Sequence, residues 1–223
     1  LRAEPITNGS DALLSAYEKK LEETPADLDL KYNLACLYYE QNRFSAAEAL
    51  FEEILESPHL RKHLEAKAAY NLGNALYRQS ESLESQEAAL DLLQQSLLRY
   101  RTVLAQEEGL SPEFADDVRF NFSLVKQRIK VLADQIRQHQ KEQARRQALI
   151  VQLKTLLARE KELQSELQAL MSMEKTAQQR QRRDSLLKRQ AGNLERLQIV
   201  REKIMALMKS SPAPAASTAP PAI

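Results

Sequence analysis

Tryptophan is absent from this sequence, cysteine occurs once, and glycine appears only four times in 223 residues. A lone Cys36 excludes an internal disulfide and offers no thiolate cluster to a metal. No run of 18 apolar residues exists, so nothing reads as a transmembrane helix. No alternating apolar and polar stretch bounded by turn residues stands out, which argues against strands. Also missing are a Gly-rich phosphate loop, HExxH, GxSxG and paired Cys ligands. The sequence therefore gives no reason to expect a catalytic residue, a metal ligand or a cofactor, and the chain reads as non-enzymatic. His59 and His63, four apart, would share a metal only on a helix face and with a third ligand, and only Glu65 is near, so they read as surface histidines.

What remains is rich in Leu, Ala, Glu, Gln, Lys and Arg, with 43% hydrophobic and 28% charged residues, the composition of an all-helical protein. Residues 70–78, YNLGNALYR, carry the strongest signal. Apolar groups recur there at helical spacing around Gly73. A glycine costs about 1 kcal/mol against alanine inside a helix, so Gly73 implies a neighbour approaching too closely for a side chain. A near copy, YNLACLYYE, occupies residues 32–40, and a fainter one, FNFSLVKQR, residues 120–128. Related helices recurring at intervals of tens of residues mean a repeat array.

Between these copies, Pro25, the Asn42-Arg43 turn and Pro58 divide the chain into helices, the third of which exposes an apolar face of Phe44, Ala47, Leu50, Phe51, Ile54 and Leu55. The short turn forces helices two and three antiparallel, with the small Ala35 and Ala47 where their backbones approach. The intervals from Tyr32 to Tyr70 and from Tyr70 to Phe120 are 38 and 50 residues. Aligning Tyr100 with Phe51 places most of the second excess between Gln79 and Ser96, which predicts an overlong second helix after a loop at 80–85.

The pattern resembles the tetratricopeptide repeat, a helix pair with small residues and aromatics at fixed places. Leu34, Ala35 and Tyr38 fit its first helix and Ala47 and Phe51 its second, while Leu72, Gly73 and Leu76 begin another copy and Phe122 and Ser123 a third. Ile54 departs from the pattern, as does Pro58, which falls one place early. Tyr17, Leu21 and Pro25 fit an incomplete leading repeat, so the resemblance spans roughly residues 11–130. It implies a curved stack whose first helices line a groove, and it assigns to partner binding Tyr32, Cys36, Tyr39 and Glu40, then Tyr70, Asn74, Tyr77 and Arg78, then Phe120, Leu124 and Arg128. The subclass that grips a C-terminal carboxylate would place Lys, Asn and Arg where this chain has Tyr32, Cys36, Asp117 and Asn121. Only Asn71 agrees, which argues against a chaperone-tail receptor.

The layout of YNLGNALYR followed by a long second helix and DVRFNFSLVKQRIK is similar to bacterial repeat proteins of aerotolerance-type (Bat) operons. That likeness implies an envelope complex with a von Willebrand A domain protein as partner. If Leu1-Arg2-Ala3 is the stub of a signal-peptide cleavage site, the protein is exported to the periplasm or envelope; otherwise it is cytoplasmic. An assembly chaperone or secretion adaptor is the alternative to a scaffold.

From residue 113 to 211 there is no proline. Leu149, Leu153, Leu156, Leu163, Leu167 and Leu170 follow coiled-coil spacing interrupted by Glu160, and Leu187, Leu194, Leu197, Ile204 and Met208 recur beyond a polar gap. Two seams around a gap predict an antiparallel hairpin with its tip near 174–184, centred on 178–183; a single long helix that forms a homo-oligomer is the alternative. The expected domains are a flexible 1–10, a repeat domain with a capping helix at 11–137, a coiled coil at 138–209 and a Pro/Ala tail at 210–223. Residues 1–115 hold 11 basic and 20 acidic side chains and the remainder 21 and 11, an acidic front and a basic back. The cluster Arg180, Arg182, Arg183, Lys188 and Arg189 lacks the interleaved aromatics of a nucleic-acid surface and reads as solvated.

Overall fold

The computed structural model describes residues 10–106, 109–171 and 176–209; the expected flexible N-terminus, the Pro/Ala tail and residues 174–175 of the expected tip lie outside them. The described residues form seven α-helices and no strand: α1 Ser10–Glu23, α2 Leu28–Glu40, α3 Phe44–Leu55, α4 Lys62–Ser82, α5 Gln86–Leu104, α6 Pro112–Met171 and α7 Ala177–Lys209. The all-α repeat fold, followed by a long helix, is the architecture expected. Contacts divide the chain into two compact units, Leu1–Arg137 and Gln138–Ile223, with α6 beginning in the first and ending in the second.

Local chemistry sets the helix boundaries. Asp27 accepts from the Leu30 amide at 3.0 Å to cap α2, and Ser85 caps α5 through the Ala88 amide at 3.2 Å. Ser111 accepts from the Phe114 amide just before Pro112, which occupies the first helical position, where its missing N–H costs nothing. The turn after α2 is a Schellman motif: Asn42 sits at φ 60°, and the Arg43 amide donates back to the Tyr38 carbonyl at 2.8 Å. Asparagine tolerates that left-handed conformation better than other side-chain-bearing residues.

In the first unit α2 packs on α3, α3 on α4 and α4 on α5. Ala35 and Ala47 are fully buried together with Phe51, Ile54, Leu72 and Leu76 in one core cluster. A second cluster joins Tyr77, Leu93, Tyr100 and Val103 to Val118 and Val125 of α6. Gly73 lies against the Tyr100 ring, where an added Cβ would stand 2.7 Å from Cε1. The neighbour that Gly73 implied is thus the aromatic of α5, and the Ser96 hydroxyl donates to the Gly73 carbonyl at 2.7 Å alongside it.

The long second repeat is built differently from expectation. α5 has 19 residues against 12 in α3, but α4 also lengthens, to 21 residues against 13 in α2. Residues 80–82, expected in a loop, continue α4, and the break falls at 83–85. Ser80 is buried because its hydroxyl donates to the Tyr77 carbonyl at 2.6 Å, a local bond that lets serine stay inside a helix. His59 precedes α4 in a turn while His63 lies inside it, and both are exposed, so the two histidines do not share a helix face.

In the second unit the distal part of α6 pairs with α7. Asn193 Nδ2 donates to the Leu156 carbonyl at 3.1 Å, and Gln190 Nε2 to Glu160 Oε1 at 2.7 Å. Arg146, Leu149 and Ile150 meet Ile204, Leu207 and Met208. Partners retreat along α7 as they advance along α6, so the two run antiparallel. α7 opens behind Thr176, whose hydroxyl accepts from the Gln179 amide while the Gln179 side chain accepts from the Thr176 amide, a reciprocal cap. Residues 178–183 therefore lie in the first turns of α7.

Candidate functional site

The first helix of each repeat contributes a Tyr or Phe followed by Asn: Tyr32-Asn33, Tyr70-Asn71 and Phe120-Asn121. The structure links these pairs into a ladder. Asn71 Nδ2 donates to the Tyr32 hydroxyl at 2.9 Å, and Asn121 Nδ2 donates to the Tyr70 hydroxyl at 2.9 Å. Asn74 lies between the rungs, accepting at Oδ1 from the Tyr100 hydroxyl at 2.6 Å and from Asn121 Nδ2 at 3.1 Å, and donating to Asn71 Oδ1 at 3.4 Å. Asn71 Nδ2 also approaches Cys36 Sγ at 3.6 Å. Seven side chains from α2, α4, α5 and α6 thus share one polar network, which is costly to leave half made and rigid when complete.

Of the residues assigned to the groove, this network joins Tyr32, Cys36, Tyr70 and Asn74. Tyr39 and Arg78 meet around Phe44, with ring centroids of Tyr39 and Phe44 5.3 Å apart and the Arg78 guanidinium 5.5 Å from the Phe44 ring. Arg78 also pairs with Glu81 at 3.0 Å. Tyr77 differs from the others: it is 3% exposed and packs in the second core cluster, so it supports the wall and presents little surface. Glu40 and Arg128 are exposed, and Leu124 is half-buried. Phe120 is 65% exposed, whereas Tyr32 packs edge-on against Phe51 and Tyr70 against Tyr100 and Phe114. α6 runs on as helix where the two earlier repeats fold back, so Phe120 lacks the covering ring its counterparts have. Asn71 and Asn121 were absent from the expected groove residues; the recurring Tyr/Phe-Asn pair is the signal that could have found them.

Burial holds the hydroxyls of Tyr32, Tyr39, Tyr70 and Tyr100 protonated above their ordinary range. For Tyr32 the desolvation is joined by Cys36, and for Tyr39 it is opposed by Arg78. For Tyr70 burial outweighs the stabilising amides of Asn74 and Asn121, and Tyr100, the most enclosed, is raised by burial most of all. Burial likewise pushes the Cys36 thiol up, which leaves it a poor nucleophile near neutral pH. A hydroxyl kept protonated by the fold stabilises it up to the unfolded tyrosine value near 10, and that contribution is lost as pH climbs toward the raised folded value. The repeat unit should therefore lose helix above about pH 10. All seven tyrosines precede residue 101, so tyrosinate absorbance reports this unit alone and should rise in the same transition as circular dichroism falls. Titration of every tyrosine near pH 10 with the helix signal intact would contradict it.

Among the described residues no group of three or more His, Cys, Asp or Glu is placed to hold a metal, and no helix is long and apolar enough to cross a membrane. What the arrangement offers is a row of aromatic rings and amides with Glu40, Arg78 and Arg128 beside it, a surface suited to contact with peptide. No curated protein matches the chain. Residues 10–70 match the tetratricopeptide repeat family model, which supports a tetratricopeptide-repeat protein over α1 to the middle of α4, and such repeats generally mediate protein–protein interaction.

Proposed function

We propose that the repeat unit is a non-enzymatic scaffold that holds a segment of a protein partner along the first helices of its repeats. The Tyr/Asn ladder is the observation that carries this: it fixes the rings of Tyr32 and Tyr70 in one orientation, so little side-chain entropy is lost when a partner lies on them. Because the ladder amides already have partners, a bound segment gains chiefly from ring faces and from the charged Glu40, Arg78 and Arg128. The sequence layout resembling Bat-type repeat proteins supports a bacterial envelope setting, with a von Willebrand A domain protein as the first partner to try.

Tyr39→Ala with Arg78→Ala removes two groove side chains, of which Tyr39 is half-buried and also packs against the edge of the first core cluster. The double variant should weaken binding of a partner peptide at least tenfold, about 1.4 kcal/mol, while its circular dichroism stays that of the wild type. Peptide-array binding that is unchanged by it would place recognition elsewhere. Equal loss across many unrelated peptides would instead favour an assembly chaperone.

A further inference from the structure

We propose that a second copy of this chain docks on one side of the α6/α7 pair, completing a four-helix bundle. The buried positions of the pair recur every seven residues: Leu149, Leu156 and Leu163 on α6, and Leu186, Val200 and Leu207 on α7, where Asn193 holds the matching place between Leu186 and Val200. Labelling these d puts Leu153, Glu160, Leu197 and Ile204 at a, the ordinary two-stranded seam. The pattern does not stop there. Most of the adjoining e positions are also apolar, at Ile150, Leu157 and Met171 on α6, where Gln164 interrupts them, and at Leu187, Leu194 and Met208 on α7; each of these six is exposed, from 41% at Ile150 to 77% at Met171.

An apolar face of three positions in seven is what a helix presents to a core of more than two helices; a two-stranded seam needs only two. In an antiparallel pair the e positions of both helices fall on the same side, and Leu157 and Leu194 do line one groove together with Leu153, Leu197 and Ile204. The missing layer must therefore cover both helices at once, and an identical pair related by a two-fold axis offers a face of the same width and length. The exposed e side chains amount to roughly 600 Å² of apolar surface per copy, so two faces would bury about 1,200 Å², the lower end of a specific interface.

Charge selects the occupant. The second unit carries 16 basic and 8 acidic side chains, yet only Arg180, in the first turn of α7, and Arg201 are charged e residues among the described residues. The opposite g side carries Arg159, Arg182, Arg189, Arg196 and Lys203 against the single acidic Glu166, all exposed. Two copies can approach through the e side with their basic surfaces turned outward. An acidic protein or an anionic bilayer would be drawn to the g side instead. None of this depends on what the repeat groove holds.

The test is light scattering on the reduced full chain across a concentration series. The wild type should reach twice its 25.4 kDa chain mass, and Leu157→Ser with Leu194→Ser should raise the dissociation constant at least tenfold. Arg159→Ser with Arg196→Ser should leave the mass unchanged. Circular dichroism checks that each variant stays helical, and Ile150→Gln with Met208→Gln replaces the first pair if it does not. A wild type that is monomeric throughout, or a dimer indifferent to both e-side pairs, overturns the proposal. So does a monomer that sediments with phosphatidylcholine/phosphatidylglycerol vesicles, which would give the face to a membrane.

Discussion

Replacing Gly73 with alanine should destabilise the repeat unit in the wild type and stabilise it when Tyr100 is also alanine. In the wild type the new Cβ would stand 2.7 Å from Tyr100 Cε1 and 3.0 Å from Cδ1 and Cζ. The ring cannot slide aside, because it is fully buried and its hydroxyl is tied to Asn74 Oδ1 at 2.6 Å. Overpacking of this kind costs about 1–3 kcal/mol, against about 1 kcal/mol gained in helix propensity. Tyr100→Ala by itself should cost about 3–5 kcal/mol, since it empties a core site and leaves Asn74 short of a donor. With the ring gone, only the propensity gain remains, so Gly73→Ala should change sign. Urea unfolding followed by tyrosine fluorescence reads this cycle, and the surviving tyrosines still report the repeat unit alone. The same sign in both backgrounds would show that the close approach is not what glycine serves.

The second large effect lies in the other unit. Glu160 accepts from Asn193 Nδ2 at 3.0 Å, Gln190 Nε2 at 2.7 Å and Gln164 Nε2 at 3.2 Å. It is only 8% exposed, yet a two-helix pair is one side chain thick, so bulk water stays close and desolvation is the smaller effect. The amides of Asn193 and then Gln190 hold its carboxyl below the ordinary glutamate range. Asn193→Leu removes donors from both Glu160 and the Leu156 carbonyl and should cost about 2–3 kcal/mol. Glu160→Leu combined with Asn193→Leu should restore or exceed wild-type stability, because a matched apolar seam needs no polar partners. The double variant should also lose its single register, visible as broadened or doubled amide resonances. Asn193 Oδ1 is buried without a hydrogen-bond partner, a cost that a seam selected for stability alone would avoid. The pH dependence follows in sign: a depressed carboxyl contributes above its unfolded value near 4.3, and that contribution fades as pH falls through the folded value. Glu160→Gln should flatten this acid limb. A double variant as unstable as the single one would refute the account.

Gly73 was legible in the sequence because a glycine inside an amphipathic helix has few explanations, but that the close neighbour is the Tyr100 ring was not. Ala35 and Ala47 were legible for the same reason of size. Ser80 was not. A Ser-Glu-Ser run reads as loop chemistry, yet both serine hydroxyls donate to carbonyls of the preceding turn and are accommodated at the end of the helix. Glu160 looked like an interruption because its partners Gln190 and Asn193 lie 30 and 33 residues away, beyond any local pattern. In the groove the tyrosines stood out by type. The asparagines that orient them did not, since a surface asparagine and a cross-repeat donor look alike until the neighbouring helix is in place.

The ladder also has a direction. Asn71 donates to Tyr32 and Asn121 to Tyr70, each amide reaching back to the repeat before it. Any further copy carrying the same Tyr-Asn pair would find its acceptor ready on the repeat it follows and would offer a new hydroxyl to the next. Such a gene can lengthen or shorten by whole duplicated units without a new contact having to arise, while Phe120, with no hydroxyl to offer, ends the ladder among the described residues.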